Sequence, residues 1–337
     1  MNIKKIITYF LLSTFYFFLP DPTYAQINLG GLNMSPGISL PDELSVEIAP
    51  EFPKPNGNVF IRLRMYTENL NTANIKWSIG GVKKAEGIGL TSFNARMGNK
   101  GSENKIKIDI ILESGVSFSK TVTLRPAEID LLWQSNSYTP PFYRGKALFP
   151  PQGEVVITAM PNFYSGSTKI DASTLIYKWT VNDTVLEGQS GYGKNTVRVS
   201  GPLLGSGIEA EVLVTDNKRG INSEERIILN PTTPSIIFYK NNPLYGIIFE
   251  KAVNGGVAIE GEEINVLASP YHMNIQDQVS LEWQMNGRSA SEVTGLSATF
   301  RKPAEGSGET FLSLKAENLN KMLQFAENGF NIKYEDN

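Results

Sequence analysis

Trp77-Ser78-Ile79-Gly80-Gly81 is the first of three related stretches in this chain. The others are Trp179-Thr180-Val181-Asn182-Asp183 and Trp283-Gln284-Met285-Asn286-Gly287, so successive tryptophans lie 102 and 104 residues apart. Each stretch alternates inward and outward side chains and then ends on residues that tolerate positive φ, which is typical of a strand entering a tight turn. Because about 100 residues is the size of one β-sandwich, the sequence predicts three copies of one module.

Strand patterns recur at matching places around each tryptophan. Upstream strands are predicted at 59–63, 155–159 and 264–268. Downstream strands are predicted at 106–110, 208–214 and 311–314, and a last strand closes each copy at 122–124, 227–229 and 330–334. Period-two patterning between turn residues indicates strands. We expect Pro161 and Pro270 to end the upstream strands of the second and third copies, because proline cannot donate to a ladder.

The stretch 316–327 carries a helix-like spacing of apolar residues. Its counterparts in the other two copies are short hairpin turns, such as Glu113-Ser114-Gly115. We therefore expect a longer hairpin here, with its turn at either 318–320 or 327–329.

The N-terminus has the pattern of a secretory signal peptide. Lys4 and Lys5 precede an uncharged apolar run at 6–19, and small residues lead to a cleavage site after Ala25. The run is short for a spanning helix, which needs about 20 residues, although an uncleaved anchor is the alternative. Residues 26–41 predict an unstructured leader or a loosely attached edge strand. Three Ig-like domains with short proline-marked linkers are then predicted at 42–126, 127–231 and 232–337.

Composition excludes several classes of function. The chain has 337 residues, no cysteine and one histidine, which rules out disulfides, Cys/His zinc sites and a Cys–His nucleophile pair. The formal net charge is −3 and no Lys/Arg run is present, so nucleic-acid binding is not predicted. A cysteine-free exported chain favours a bacterial envelope, and abundant glycine, proline and aromatic residues fit a turn-rich β fold.

No catalytic constellation is apparent. His272 is predicted to pack or to lie on a loop, and no Gly-x-Ser-x-Gly elbow accompanies it. The acidic runs 260–263 and 224–225 lie at predicted loops or strand edges, where charge keeps edges soluble. We predict no catalytic residue, no metal site and no cofactor. A structural calcium ion is left open at turn residues Asp130, Asp183 and 216–217.

One long loop stands out as a candidate binding site. It combines prolines, which pre-set an extended backbone, with aromatic and basic side chains of the kind that dominate interaction hot spots. The candidate binding residues are Tyr138, Phe142, Tyr143, Arg144 and Lys146, together with Tyr245 of the related Pro-Leu-Tyr segment. The alternative is that both segments brace the junctions between adjacent sandwiches.

Two resemblances extend these predictions. The strand–turn segment 77–81 and its copies resemble the Trp-Asp-Phe-Gly-Asp-Gly signature of PKD domains, without the Asp after Trp and the final Gly. That resemblance implies Ig-like sandwiches of surface and secreted proteins. The segments 138–148 and 242–246 are similar to those of exported proteins of candidate-phylum (Patescibacteria-like) bacteria. This second resemblance implies an envelope protein encoded near pilus or secretion genes, and it carries no activity.

Together these observations predict an all-β chain of three tandem Ig/PKD-like antiparallel β-sandwiches behind a signal peptide. We expect a non-enzymatic exported array that serves as a binding or structural module at a bacterial cell surface, through protein–protein contacts. The alternative is a carbohydrate-binding or adhesive module, which requires exposed, coplanar aromatic rings. Expected partners are an envelope, pilus or secretion protein or a polysaccharide. Membrane contact is expected only through the N-terminal segment, if it is uncleaved.

Overall fold

A computed structural model describes residues 44–141, 143–203, 207–253 and 255–335. In these ranges the regular structure is β-strand apart from two single-turn 3₁₀ helices, Ala172–Thr174 and Glu187–Gln189. No helix in the described part of the chain is long and apolar enough to span a membrane. The predicted signal peptide and leader lie outside the described residues.

The first sandwich has two antiparallel sheets with the strand orders β1-β2-β5 and β4-β3-β6-β7. Their inner faces enclose a core that contains Ile61, Ile75 and Trp77. The strands are β1 (Ser45–Ala49), β2 (Asn58–Arg64), β3 (Asn74–Ile79), β4 (Val82–Ile88), β5 (Ser92–Arg96), β6 (Asn104–Ile111) and β7 (Ser117–Leu124).

The second sandwich repeats this plan with the sheets β15-β9-β8 and β13-β12-β16-β17. Strand β14 also pairs with β12, and β10 with β11 forms a small separate hairpin. The strands are β8 (Glu128–Ser135), β9 (Glu154–Asn162), β10 (Tyr164–Ser165), β11 (Thr168–Lys169), β12 (Ile176–Val181), β13 (Thr184–Val185), β14 (Gly191–Tyr192), β15 (Thr196–Ser200), β16 (Ile208–Asp216) and β17 (Ile221–Leu229).

The third sandwich adds two strands to the plan. Its sheets have the orders β19-β18-β21-β24 and β20-β26-β25-β22-β23, and the added β20 runs parallel to β26. The strands are β18 (Ser235–Asn242), β19 (Gly246–Ala252), β20 (Gly256–Ala258), β21 (Glu263–Tyr271), β22 (Val279–Met285), β23 (Arg288–Ser289), β24 (Ser297–Arg301), β25 (Gly308–Asn318) and β26 (Phe325–Tyr334).

The predicted fold class is confirmed: the described chain forms three tandem Ig-like antiparallel β-sandwiches. Each has its own buried core, built from residues of 44–124, 127–229 and 236–332. In each copy the strand after the tryptophan strand stays in the same sheet, as β4, β13 and β23 do. The domain limits at 126/127 and 231/232 stay a prediction.

Each tryptophan is the largest side chain of its core. Trp77 and Trp179 are 0% exposed and Trp283 is 1% exposed. Each indole Nε1–H also donates to a backbone carbonyl, that of Leu90 at 3.0 Å, Lys194 at 2.9 Å and Gly295 at 2.9 Å. The tryptophans therefore bury a large apolar surface and leave no unpaired donor.

The turn after each tryptophan strand has the predicted geometry. Both central residues take positive φ in all three copies: 56° and 83° at Gly80-Gly81, 45° and 61° at Asn182-Asp183, and 49° and 74° at Asn286-Gly287. Positive φ at both positions defines a type I′ hairpin turn, whose twist matches that of the flanking strands.

Two local predictions need adjustment. Pro161 and Pro270 do not end their strands, because β9 and β21 continue to Asn162 and Tyr271. The pairing with β15 and β24 stops before the prolines, so each proline has a neighbouring strand on one side only. Its missing N–H faces the other, unpaired side and therefore breaks no ladder. In the long hairpin the turn starts at Asn318, the first of the two predicted places, while 327–329 lies inside β26.

Replacing Trp179 by alanine is expected to lower the free energy of unfolding by about 3–5 kcal/mol, because it leaves a cavity and removes the indole hydrogen bond. Urea unfolding followed by circular dichroism measures this change. Tyr192→Ala is the control in the same sandwich, because Tyr192 is 70% exposed. It should change stability by no more than about 0.5 kcal/mol. Equal effects of the two substitutions would contradict the role of the tryptophan.

Candidate functional site

The long loop between β8 and β9 reaches across to the third sandwich. The Tyr138 backbone N–H donates to the Met273 carbonyl at 2.8 Å, and the His272 N–H donates to the Tyr138 carbonyl at 2.9 Å. These two bonds form a short ladder between sandwiches. Tyr138, a predicted binding residue, thus helps to fasten the junction.

A buried glutamine makes a second connection at this junction. Gln324, in the turn between β25 and β26, is fully buried and donates from Nε2 to the Pro151 carbonyl at 2.9 Å. Its Oε1 accepts from the Asn274 N–H at 3.2 Å and from Asn318 Nδ2 at 3.3 Å. The Leu323 N–H donates to Gln152 Oε1 at 3.0 Å beside it. Because the amide is satisfied on both ends, it links the two sandwiches in one arrangement.

His272, whose N–H forms part of the first connection, is buried. Its backbone is left-handed, with a φ of 57°. The imidazole Nδ1 accepts a hydrogen bond from the Leu148 backbone N–H at 3.3 Å, so this nitrogen carries no proton. Burial lowers the pKa of His272 from its ordinary value of 6.5. The prediction that this histidine packs is confirmed, and its place is a junction between sandwiches.

Beside the junction, the same loop borders an aromatic cleft of about 450 Å³ on the outer face of the third sandwich. Pro140, Pro141, Tyr143 and Arg144 of the loop form one wall, and Tyr239, Ile247, Phe249, Glu250 and Tyr271 form the other. The rings meet edge to face: Tyr143 on Tyr271 with 5.7 Å between centroids, and Tyr239 on Phe249 with 5.2 Å.

The cleft floor is a hydrogen-bonded tyrosine pair. The Tyr239 and Tyr271 hydroxyl groups are 2.5 Å apart, and both side chains are nearly buried. Burial, and then the hydrogen bond to Tyr239, raise the pKa of the Tyr271 phenol, so this phenol stays neutral. Arg144 and Glu250 are exposed at the rim and make no ion pair within the described ranges. The cleft therefore offers an apolar interior with one charge of each sign at its edge.

The other predicted binding residues do not line the aromatic cleft in the described part of the chain. Lys146 Nζ lies 3.6 Å from the ring centroid of Trp133, and desolvation there lowers the pKa of the amine. Tyr245 is 83% exposed in the tight turn between β18 and β19, where Asn242 Oδ1 accepts from the backbone N–H of Leu244 and of Tyr245. Phe142 lies outside the described residues. Of the six candidates, the cleft thus brings together Tyr143 and Arg144.

The two proline–aromatic segments therefore occupy different places in the fold. The segment 138–146 braces the junction as the alternative hypothesis proposes, whereas 242–246 closes a hairpin. Sequence reasoning missed Tyr239, Phe249, Glu250 and Tyr271. The available signal was the adjacency of Phe238 and Tyr239 in one strand, which places an aromatic ring on the outer face as well as in the core.

The junction between the first and second sandwiches is held differently. Lys54 pairs with Glu225, and Lys100 pairs with Glu128. The Gly166 N–H, in the turn of the β10–β11 hairpin, donates to the Gly101 carbonyl at 3.2 Å. A side chain on Gly101 would collide with the backbone of that turn. Because ion pairs between partly exposed side chains are screened by salt, we expect salt to weaken this junction more than the second one.

The residues weighed for calcium already have protein partners or turn roles, and Asp130 lies inside β8, not at the predicted turn. Asp216 Oδ1 accepts from the Lys218 and Arg219 backbone N–H groups, and Oδ2 pairs with the Arg219 guanidinium at 2.8 Å. Asp183 takes positive φ in a hairpin turn, and Asp130 accepts from the Asn162 amide. Among the described residues, no group of three or more Asp, Glu or His is placed to hold a metal ion. A calcium site stays a prediction.

No protein-family model matches the chain, and a search of curated proteins finds no relative. Several solved structures are similar to the chain at low identity. The three N-terminal domains of the bacteriophage RB49 Highly Immunogenic Outer Capsid protein are 9% identical, with 88% of this chain and 99% of that chain covered and a TM-score of 0.26. The central fibronectin-III array of RIM-binding protein is 12% identical, with 87% and 96% covered and a TM-score of 0.29.

A third similar structure is the Bacteroides ovatus mixed-linkage glucan utilization locus protein SGBP-B in complex with a mixed-linkage heptasaccharide. It is 12% identical, with 87% of this chain and 70% of that chain covered and a TM-score of 0.24. TM-scores this low carry no inference about a ligand. The Ig-like repeat architecture rests on the sheets and cores of the chain itself.

Gln324→Met is expected to lower the free energy of unfolding by about 1–3 kcal/mol, because it leaves the Pro151 carbonyl and the Asn274 N–H buried without partners. Chemical unfolding measures the loss, and small-angle scattering should show a more variable angle between the second and third sandwiches. Gln134→Met, on an exposed position of β8, is the matched control. Unchanged stability and scattering in Gln324→Met would contradict a fastened junction.

Stability is expected to fall as the pH drops below about 6.5, where the unfolded chain binds a proton at His272 before the folded chain does. The loss levels off below the depressed folded-state pKa. Because His272 is the only histidine, one NMR titration of its ring reports that pKa directly.

His272→Asn is the control for this pH dependence. It keeps an acceptor near the Leu148 N–H and tolerates the left-handed backbone. The difference in stability between pH 7 and 5.5 should shrink in this variant. A ring pKa at or above 6.5 would contradict the assignment.

Proposed function

We propose that this protein is a non-enzymatic, exported array that serves as a binding module at a bacterial cell surface through protein–protein contacts. An Ig-like repeat fold fits a binding or structural module in general. The predicted signal peptide at 1–25 supports export, and the resemblance of 138–148 to exported bacterial proteins supports an envelope setting. A pilus or secretion component is the kind of partner that this setting favours.

The observation that carries the proposal is the aromatic cleft at the second junction. Interaction hot spots are enriched in tyrosine and arginine and sit in pockets that exclude water. Tyr143 and Arg144 occupy such a place, with Glu250 across the rim. Because the loop is tied to the third sandwich through Tyr138, little conformational entropy is lost when a partner binds. An apolar or aromatic side chain flanked by charged groups would fit this cleft.

Ring geometry favours a protein over a neutral sugar at this cleft. Stacking on a sugar needs a flat, exposed aromatic face. Tyr143 and Tyr271 are instead inclined by 71°, and Tyr239 and Tyr271 are nearly buried. The cleft therefore suits an inserted side chain better than a flat sugar ring.

Photo-crosslinking in intact cells of the source bacterium tests the proposal. A photoreactive amino acid at Arg144 or at Glu250 should give the same discrete protein adduct, and Tyr143→Ala should reduce its yield severalfold. Tyr66 and Glu113, which are exposed on the first sandwich, provide matched control positions. Equal adduct yield from the control positions would count against the cleft, and an adduct with polysaccharide would favour the adhesive alternative.

A further inference from the structure

A second concave surface lies at the other end of the second sandwich, away from the aromatic cleft. Two adjoining cavities, of about 880 and 440 Å³, share Ser165, Lys218 and Arg219. One is walled by the β10–β11 hairpin and the turn between β16 and β17, and the other extends over Gly101 of the first sandwich. We call this continuous surface the first-junction groove. Each of the two cavities has a volume in the range of sites that hold small ligands.

The carboxylates along the groove are already engaged. Asp216 is nearly buried and accepts from its own turn and from Arg219. Asp171 accepts from the Ser173 N–H, and this bond lowers the pKa of its carboxyl group. Glu103 pairs with Lys105 and Arg125, which likewise lower its pKa. These three carboxylates are therefore directed to protein donors.

Two lysines in the groove have no such partner. Lys169, at the end of β11, and Lys218, in the β16–β17 turn, are exposed and make no ion pair within the described ranges. Asp216 holds the Lys218 backbone N–H at 3.0 Å, so the turn that carries this lysine is itself ordered. The groove therefore presents two unpaired positive charges on ordered elements, with the Arg125 and Arg219 guanidinium groups beside them.

The remaining lining groups suit a sugar. Tyr192 lines the larger cavity and is 70% exposed, which leaves a ring face open for stacking. Tyr164 lines the smaller cavity. Hydroxyl groups of Ser165 and Thr168 add neutral donors and acceptors between the charges. An acidic oligosaccharide carries hydroxyl groups, sugar rings and acid groups. The groove offers a complement to each: side-chain hydroxyls, an open aromatic face and unpaired lysines.

We infer that the first-junction groove binds an acidic oligosaccharide. Lys169 and Lys218 contact its acid groups, Tyr192 stacks on a sugar ring, and the hydroxyls bind the sugar hydroxyls. This ligand differs from the protein partner proposed for the aromatic cleft, and the two sites lie at opposite junctions of the second sandwich. The array would then hold a surface polysaccharide at one junction and a protein at the other.

Calorimetry with the purified protein tests the inference. The probes are a galacturonic acid hexasaccharide, its fully methyl-esterified form and a chondroitin sulfate hexasaccharide. At least one acidic probe should bind, with an affinity that falls as salt rises, and the ester should not bind. Lys169→Met with Lys218→Met should weaken binding at least about tenfold, and Tyr192→Ala roughly fivefold. Lys84→Met with Lys251→Met, on exposed lysines elsewhere, should leave it unchanged.

The experiments distinguish a failure of this oligosaccharide inference from a failure of the proposed protein-binding function. Tyr143→Ala should leave oligosaccharide binding intact, and the lysine substitutions should leave the crosslinked adduct intact. No binding of either acidic probe, or no effect of the two lysine substitutions, would overturn the inference. Equally tight binding of a twelve-residue thymidine oligonucleotide would also overturn it, because the groove would then select for charge alone.

Discussion

Each sandwich depends on burying one tryptophan without leaving its indole N–H unpaired. The ring fills the core between two sheets, but an unpaired buried donor would cost about 1–3 kcal/mol. In all three copies the acceptor is the carbonyl two residues ahead of the next strand of the opposite sheet: Leu90 before β5, Lys194 before β15 and Gly295 before β24. One side chain thus joins the two sheets by packing and by a directed bond, which explains why its setting recurs.

The copies differ where this constraint does not act, in the connection between their first two strands. It is a short turn at 50–57 in the first sandwich, a long loop at 136–153 in the second, and an insertion holding β19 and β20 in the third. The aromatic cleft uses residues from both of the last two connections, Tyr143 from the loop and Phe249 from β19. A repeated scaffold with variable connections is a common way to place recognition on a rigid base.

The features that sequence predicts well are those that local chemistry determines. Alternation specifies the strands, and paired residues that tolerate positive φ specify turns such as Asn182-Asp183. The junction is different, because Gln324 and Pro151 meet only when two sandwiches dock. Local rules also fail where tertiary context decides: Pro161 stays in its strand because β15 has already ended beside it.

In the candidate site, too, local sequence predicts some residues and tertiary contacts determine the others. Tyr143 and Arg144 could be singled out because prolines and aromatic residues cluster in one loop. Their partners Tyr239 and Tyr271 lie on the outer faces of ordinary strands, and no local pattern tells which outer face a distant loop will cover. The tryptophans themselves proved to be scaffold, so specificity has to come from the residues that differ between copies.

The physical claim behind the cleft is that the second and third sandwiches move as one body. The chain contains no cysteine, so spin labels on Lys178→Cys and Glu327→Cys, both exposed, report on this pair alone. Pulsed electron resonance between the two labels should give a single narrow distance distribution. A broad distribution, of the kind a flexible linker produces, would contradict a fastened junction and with it a preformed cleft.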